Sequence, residues 1–290
     1  MALSIASLLS RQGINKREAQ TLLAHALGLS RTSIIAHPER MIDVAQEQLA
    51  QSLFSRRAFG EPIAYLLGCR EFYGRDFVVS PATLIPRPET ELLVQQALVT
   101  TPGHKWLESR TNTSAIEVGR GQRSHVLDLG TGCGAIAVSL ALERPDAIIV
   151  AADISHDALK IATENARRLN TAAVEFIESN WYTNLGDRKF DLIVSNPPYV
   201  ASGDAHLSQG DLRFEPQIAL TDESSDGLHS IRTIVDGAPA HLHPSGWLLF
   251  EHGYDQANAC RELLLKAGFE NLISIDDLAG IPRVAGGQIR

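Results

Sequence analysis

From His125 onward, short apolar runs alternate with longer stretches whose apolar residues recur at helical spacing. Strand-like runs fall at 125–129, 147–152, 173–178, 190–195, 246–251, 270–275 and 282–285. Ala135 to Glu143 reads as a helix between the first two. Strand, helix, strand in that order predicts a parallel sheet with covering helices. The start of the chain has a different grain. Arg17 to Leu27 and Asp43 to Phe59 are helical in pattern, and each stops at a glycine, Gly28 and Gly60. Cys69 to Ser80 predicts a hairpin turning near Gly74. Pro86-Arg-Pro-Glu-Thr-Glu91 opens a further helix, with Pro88 and the acidic residues suited to its first turn. Residues 101–124 are polar, hold three glycines and lack periodicity, which predicts a flexible insertion. The expected division is therefore a helical domain at 1–75, ending in the hairpin, and an α/β catalytic domain at 76–290.

The ends of those strands carry the candidate chemistry, where an open α/β sheet binds its ligands. Val126-Leu-Asp-Leu-Gly-Thr-Gly-Cys-Gly-Ala135 runs from a buried strand holding Asp128 into Gly130, Gly132 and Gly134. Glycines let the chain turn sharply and let a ligand approach the backbone. A dinucleotide loop has G-x-G-x-x-G, so that a pyrophosphate meets the helix N-terminus. The spacing here is G-x-G-x-G, which suits a nucleoside carrying an amino-acid tail. The next strand ends at Asp153, 19 residues beyond Gly134. A carboxylate there accepts both hydroxyls of a ribose, and it is also placed to cap a helix from Ser155.

A later strand stops at Asn196-Pro197-Pro198-Tyr199. Asn-Pro is a plain turn signal, but this turn also holds fixed acceptors beside a flat aromatic surface. It suits a planar nitrogen that must be kept still while a group is transferred to it. With the glycine loop and Asp153, it points to an amino-methyltransferase that uses S-adenosyl-L-methionine.

Composition narrows the substrate. The 290-residue chain carries a net charge of −8 and only 6% aromatic residues. An adenine or guanine amino-methyltransferase, the main rival, needs base extrusion, stacking and a basic groove. No stable nucleic-acid partner is expected. Residues 1–75 are net +3 against −11 for the rest, a mild polarity that suits docking of an acidic partner or nearby RNA, though a solvated helix surface is the commoner explanation. A non-catalytic scaffold would show a damaged glycine loop or a lost Asn196, and both are intact. There is no apolar run of transmembrane length and no basic leader, so a cytoplasmic protein without membrane association is expected. Cys69, Cys133 and Cys260 have neither zinc nor disulfide spacing, and His241-x-His243 reads as a loop pair, so no metal is expected.

Together, Leu84-Ile-Pro-Arg-Pro-Glu-Thr-Glu91, the glycine loop, Ser195-Asn-Pro-Pro-Tyr199, Phe214-Glu-Pro216 and Phe250-Glu-His-Gly253 resemble the release-factor N5-glutamine methyltransferases, also called HemK or PrmC. The resemblance covers almost the whole chain. It implies a Rossmann-like class I methyltransferase sheet behind a small N-terminal helical domain. The implied substrate is the glutamine of the Gly-Gly-Gln loop in class-1 peptide chain release factors. The implied cofactor contacts are Gly130, Thr131, Gly132, Cys133, Gly134, Asp153, Trp181 and Asn196. Many relatives have Asp where this chain has Asn180, whose amide oxygen accepts from the adenine amino group without charge. The glutamine is expected against Asn196, Pro197, Pro198 and Tyr199. The Asn196 side-chain oxygen and the Pro197 carbonyl would take the two amide hydrogens, with Tyr199 stacked on the amide plane. Gly286-Gly287-Gln288 spells the same tripeptide near the chain's own C-terminus and reads as coincidence.

Overall fold

The apolar core falls into two parts with no buried residue in common, one among the N-terminal helices and a larger one on the two faces of a sheet (a computed structural model describing residues 3–10, 13–101, 123–171 and 174–290). The smaller is built by α1 (Ile5–Leu9), α2 (Lys16–Leu27), α3 (Arg31–Ala36), α4 (Val44–Ala58) and α5 (Ile63–Leu67), around Ile5, Leu22, Leu23, Ile34, Leu53 and Phe54. Its helices begin and end where local chemistry says. Asn15 caps α2, Gly28 closes it at φ +62°, and Asp43 with Gln46 forms a capping box on α4. A hairpin follows, β1 (Cys69–Phe72) and β2 (Arg75–Val78). Its aromatics, Phe72 and Phe77, pack in the larger core together with Tyr65 of α5. Helix α6 (Thr90–Thr100) starts two residues after Pro88, and only Glu91 falls in its first turn.

The larger unit continues with β3 (His125–Leu129), α7 (Ala135–Glu143), β4 (Ile148–Asp153), α8 (His156–Arg168), β5 (Val174–Glu178) and β6 (Phe190–Ser195). It ends with α9 (His229–His241), β7 (Leu242–Glu251), α10 (Ala257–Lys266), β8 (Glu270–Asp276) and β9 (Pro282–Gln288). The sheet order is β5-β4-β3-β6-β7-β9-β8, with β9 antiparallel to both neighbours. Successive residues pack into opposite layers. Val126, Leu192 and Leu249 face α6 and α7, while Leu127, Ile193 and Leu248 face α9 and α10. Burial on both faces explains why these strands read as apolar runs. The order reverses between β3 and β6, and a crevice opens at their carboxyl ends.

The expected insertion at 101–124 lies almost wholly outside the described residues. Strand β7 begins at Leu242, four residues before the predicted start, because the register shifts after Phe190 and the exposed His243, Pro244 and Ser245 hide the alternation. His241 closes α9 and stacks on Tyr182 at 4.7 Å, so the His241-x-His243 pair is helix and strand rather than loop. Strand β9 runs on through Gly286-Gly287-Gln288. Its glycines weaken the sequence signal, yet a Cβ on Gly286 would stand 2.5 Å from Leu249 Cδ2. Gln288 donates to Ser245 O at 2.9 Å and accepts from Asn271 Nδ2 at 2.8 Å. It pairs with Trp247, at the opposite end of β7 from the crevice. That carboxamide is a structural link, held at both ends.

Candidate active site

A cavity of about 270 Å³ occupies the crevice. Gly130, Thr131, Gly132, Cys133, Asp153, Asn180, Trp181, Asn196 and Pro198 all line it. Gly134, Pro197 and Tyr199 do not. Gly134 serves packing instead. It starts α7 at φ +82°, and a Cβ there would lie 3.1 Å from Ala162 on α8. Pro197 is buried behind the wall, and Tyr199 turns toward the β7–α9 core.

The floor is the glycine loop hooked over the end of β4. Gly130 N and Thr131 N donate to Ala152 O at 2.8 and 3.0 Å, and Gly132 N donates to Asp153 Oδ2 at 2.8 Å. Asp153 Oδ1 accepts from Ser155 N at 2.8 Å, while Ser155 itself caps α8. Asp153 lines the cavity, and a carboxylate has more acceptor sites than these amides use. Burial raises this carboxyl above its ordinary range, and the backbone amides pull it back. Trp181 sits at φ +51°, a left-handed conformation that large residues rarely adopt. It stands beside Gly130, where a Cβ would lie 3.6 Å from the indole. Asn180 side-chain atoms have no hydrogen-bond partner among the described residues. A carboxylate pair of acceptors, an indole wall and an unengaged carboxamide fit a ribose and an adenine, and therefore fit S-adenosyl-L-methionine.

Asn196 is aimed by a contact across 106 residues: its Nδ2 donates to Thr90 Oγ1 at 3.0 Å. Thr90 Oγ1 in turn donates to Glu251 Oε2 at 2.7 Å, and Tyr199 OH donates to Glu251 Oε1 at 2.9 Å. Among the described residues nothing donates to Asn196 Oδ1 or to the Pro197 carbonyl. Both expected acceptors are therefore unengaged. The turn is backed by Gln256, whose Nε2 donates to Tyr199 O at 3.0 Å, and by Gly227, where a Cβ would collide with Tyr199 O at 2.2 Å.

Sequence reading missed the joint that closes the far wall. The Glu215 side chain is fully buried, accepts from Ile85 N at 3.0 Å and pairs with Arg87. It thus ties the loop ahead of α6 to the segment bearing Pro216 and Ile218. The helical domain reaches the same segment, through Arg57 to Asp211 at 2.7 Å and through the Phe59 and Phe214 rings at 6.3 Å. The signal was present in two motifs of unexplained residues, Pro86–Glu91 and Phe214-Glu-Pro216, but nothing local pairs them.

Asp128 lies beneath the loop, fully buried, accepting from Thr131 Oγ1 at 2.6 Å and Ala137 N at 3.1 Å, with Oδ1 unpartnered. Desolvation pushes its carboxyl up to about 7. A raised folded-state value means the group's contribution is fully present below the unfolded carboxyl range and is lost as pH rises toward 7. Asp128→Asn should therefore match wild-type stability near pH 4 and exceed it increasingly toward pH 7, by at most about 4 kcal/mol. Denaturant unfolding at several pH values measures the gap. A gap independent of pH would contradict a neutral Asp128.

The sheet order and the crevice at its carboxyl ends define a Rossmann-like, S-adenosyl-L-methionine-dependent methyltransferase. The family description "Methyltransferase small domain" matches residues 111–211, and "PrmC N-terminal domain" matches residues 4–68. Solved structures agree in fold. A methyltransferase from Pyrococcus furiosus superposes with TM-score 0.52 at 17% identity, over 81% of this chain and 95% of that one. The hMettl16 catalytic domain in complex with a 3′UTR hairpin gives 0.58 at 15%, over 79% and 81%. Full-length relatives are far more similar. A release factor glutamine methyltransferase of Burkholderia pseudomallei is 49% identical, over 98% of this chain and 95% of its own. That of Bordetella pertussis is 48% identical, over 97% and 98%. The chain belongs to the release factor glutamine methyltransferase family.

Proposed function

We propose that the protein methylates the side-chain amide nitrogen, N5, of the glutamine in the Gly-Gly-Gln loop of class-1 peptide chain release factors. The observation that carries this reading is Asn196, a carboxamide with its nitrogen committed to Thr90 and its oxygen unengaged beside the cavity. S-adenosyl-L-methionine supplies an activated methyl on a sulfonium that leaves as a neutral thioether.

The protein's own work is to hold an unwilling nucleophile. An amide lone pair is delocalised into its carbonyl, which keeps the group planar and the nitrogen unreactive. Asn196 Oδ1 and the Pro197 carbonyl accept the two amide hydrogens, which fixes the nitrogen's direction and draws electron density onto it. The two prolines lock φ and bring no competing N–H, so these acceptors stay aimed. Asp153 accepts the ribose hydroxyls, Trp181 flanks the adenine, and Asn180 accepts from its amino group. Fixing both partners in near-attack geometry removes several kcal/mol of the barrier, on the order of 7–11 in the best intramolecular cases. The proton released after transfer passes to water.

Tyr199 acts differently from the sequence expectation. Its hydroxyl is committed to Glu251 and its ring is off the cavity wall, so its part in this reading is to brace the turn rather than to stack on the substrate. Among the described residues no helix is long and apolar enough to cross a membrane, and a cytoplasmic enzyme acting on a translation factor is consistent with that.

The test offers labelled S-adenosyl-L-methionine with purified release factor, bulk RNA and duplex DNA side by side. Label is expected in the release factor, on the tripeptide glutamine by mass spectrometry. Label confined to nucleic acid would overturn the proposal.

A further inference from the structure

Glu251 closes β7 with a carboxylate that is 1% exposed. Among the described residues no cation is within ion-pair distance of it, and Arg283, whose field reaches it, is engaged with Asp277 at 3.0 Å. A buried carboxylate without a counter-ion is costly to keep, so its surroundings need a reason. Its two oxygens are met by hydroxyls from two other elements, Thr90 at the start of α6 and Tyr199 after β6. A hydroxyl donates one hydrogen and accepts others, whereas an ionised carboxylate only accepts. Thr90 therefore spends its hydrogen on Glu251 and has only lone pairs left for Asn196. The Asn196 partner atom must then be Nδ2, and Oδ1 is left for the cavity.

We propose that Glu251 is a positioning residue, ionised in the working enzyme, that sets the polarity of the Asn196 carboxamide through Thr90 and braces the same turn through Tyr199. The inference deepens the proposed function and rests on it. A proton on Glu251 would let one oxygen donate, free the Thr90 hydrogen for Asn196 and turn the amide over. An N–H would then confront the substrate's own N–H, and the grip would be lost.

The groups that act on Glu251 are known. Burial raises its carboxyl, the Thr90 and Tyr199 hydroxyls lower it, Glu89 ahead of α6 raises it and Arg283 on β9 lowers it. His252, adjacent on the chain, is buried with Nδ1 against its neighbour's carbonyl at 2.8 Å, and burial holds it below the ordinary histidine range. Turnover should accordingly fall on the acid side as Glu251 takes up its proton.

Glu251→Gln cannot accept from both hydroxyls without presenting an N–H to one of them. It should lower kcat by about 100-fold, with cofactor Kd and release-factor KM within about threefold of wild type. Thr90→Val should behave alike, and Thr90→Ser, which keeps the hydroxyl, should stay within about threefold. Tyr199→Phe removes a donor that stabilises the anion, so its acid limb should move to higher pH. In the unliganded protein, the Asn196 side-chain amide protons should exchange slowly with water, and Glu251→Gln should remove that protection.

Turnover of Glu251→Gln within about threefold of wild type would overturn the inference, as would an acid limb unmoved in Tyr199→Phe. If Glu251→Gln loses cofactor binding along with turnover, Thr90→Val against Thr90→Ser decides, and equal turnover in those two overturns the idea. A wild type that labels no release factor defeats the proposed function instead. The Asn196 exchange measurement then decides the orientation claim alone, and protection surviving in Glu251→Gln would refute it.

Discussion

Replacing Asn196 with alanine is expected to lower methyl transfer by about 10²- to 10³-fold while leaving cofactor affinity within about threefold. The side chain is attached to the binding machinery by a single contact, Nδ2 to Thr90 Oγ1, and its oxygen has no other task among the described residues. The cofactor's ribose and adenine meet other groups, at Asp153, Trp181 and Asn180, so truncation should leave their site standing. What disappears is an acceptor for one amide hydrogen of the substrate. A buried donor left without a partner costs roughly 1–3 kcal/mol, and more where charge develops, as it does on a nitrogen becoming cationic. The loss should fall on kcat rather than on KM, because the missing interaction strengthens as the nitrogen gains the methyl. Steady-state kinetics with release factor, paired with calorimetry for the cofactor, separates the two effects. Equal losses in affinity and turnover would mean that Asn196 supports the pocket rather than the reaction.

Asp153→Ala should show the opposite signature. Its carboxylate holds Gly132 N and Ser155 N and offers its remaining lone pairs to a ribose. Hydrogen bonds to a charged group are worth roughly 1.5–3 kcal/mol, so cofactor affinity should weaken roughly 10- to 150-fold. The glycine loop would also lose its hook on β4, which adds to the loss. With saturating cofactor, turnover should recover much of its wild-type value, since the role proposed for Asp153 is toward the ribose and not the transferred group. Calorimetry showing unchanged affinity would remove Asp153 from the cofactor site.

These two residues were legible in the sequence for a common reason: each ends an apolar strand and is marked by its immediate neighbours. Asp153 follows Ala147–Ala152 at a distance from the glycine loop that a βαβ unit fixes, and Asn196 is marked by the two prolines that follow it. Strands β3, β4, β6 and the second half of β7 were equally legible, because burial on both faces writes itself as near-continuous apolar residues, whereas β5 and β8 are partly exposed and β9 carries two glycines. The residues that aim Asn196 were not. Thr90 is one hydroxyl in a helix start, and for Glu251 the sequence leaves an active-site role and an inter-domain ion pair both open. They meet across 161 positions only because α6 lies over the carboxyl ends of β6 and β7. Local pattern has no access to such a contact.

The same limit explains Tyr199. The tetrapeptide announces an aromatic ring beside an amide, and stacking is what the isolated motif suggests. In the fold the ring has a stronger claim on it, a hydroxyl bonded to a buried carboxylate and a flank packed against β7 and α9. Glu215 is a parallel case. Its neighbours Phe214 and Pro216 gave no hint that its carboxylate joins Ile85 and Arg87 and so closes the cavity wall.

The account's central claim is geometric, and one structure tests it most directly: the enzyme with S-adenosyl-L-homocysteine and a peptide bearing Gly-Gly-Gln. The glutamine Nε2 is expected to point at the thioether sulfur, with hydrogen bonds to Asn196 Oδ1 and the Pro197 carbonyl. A glutamine whose nitrogen faces solvent, or whose carbonyl oxygen faces the sulfur, would contradict it.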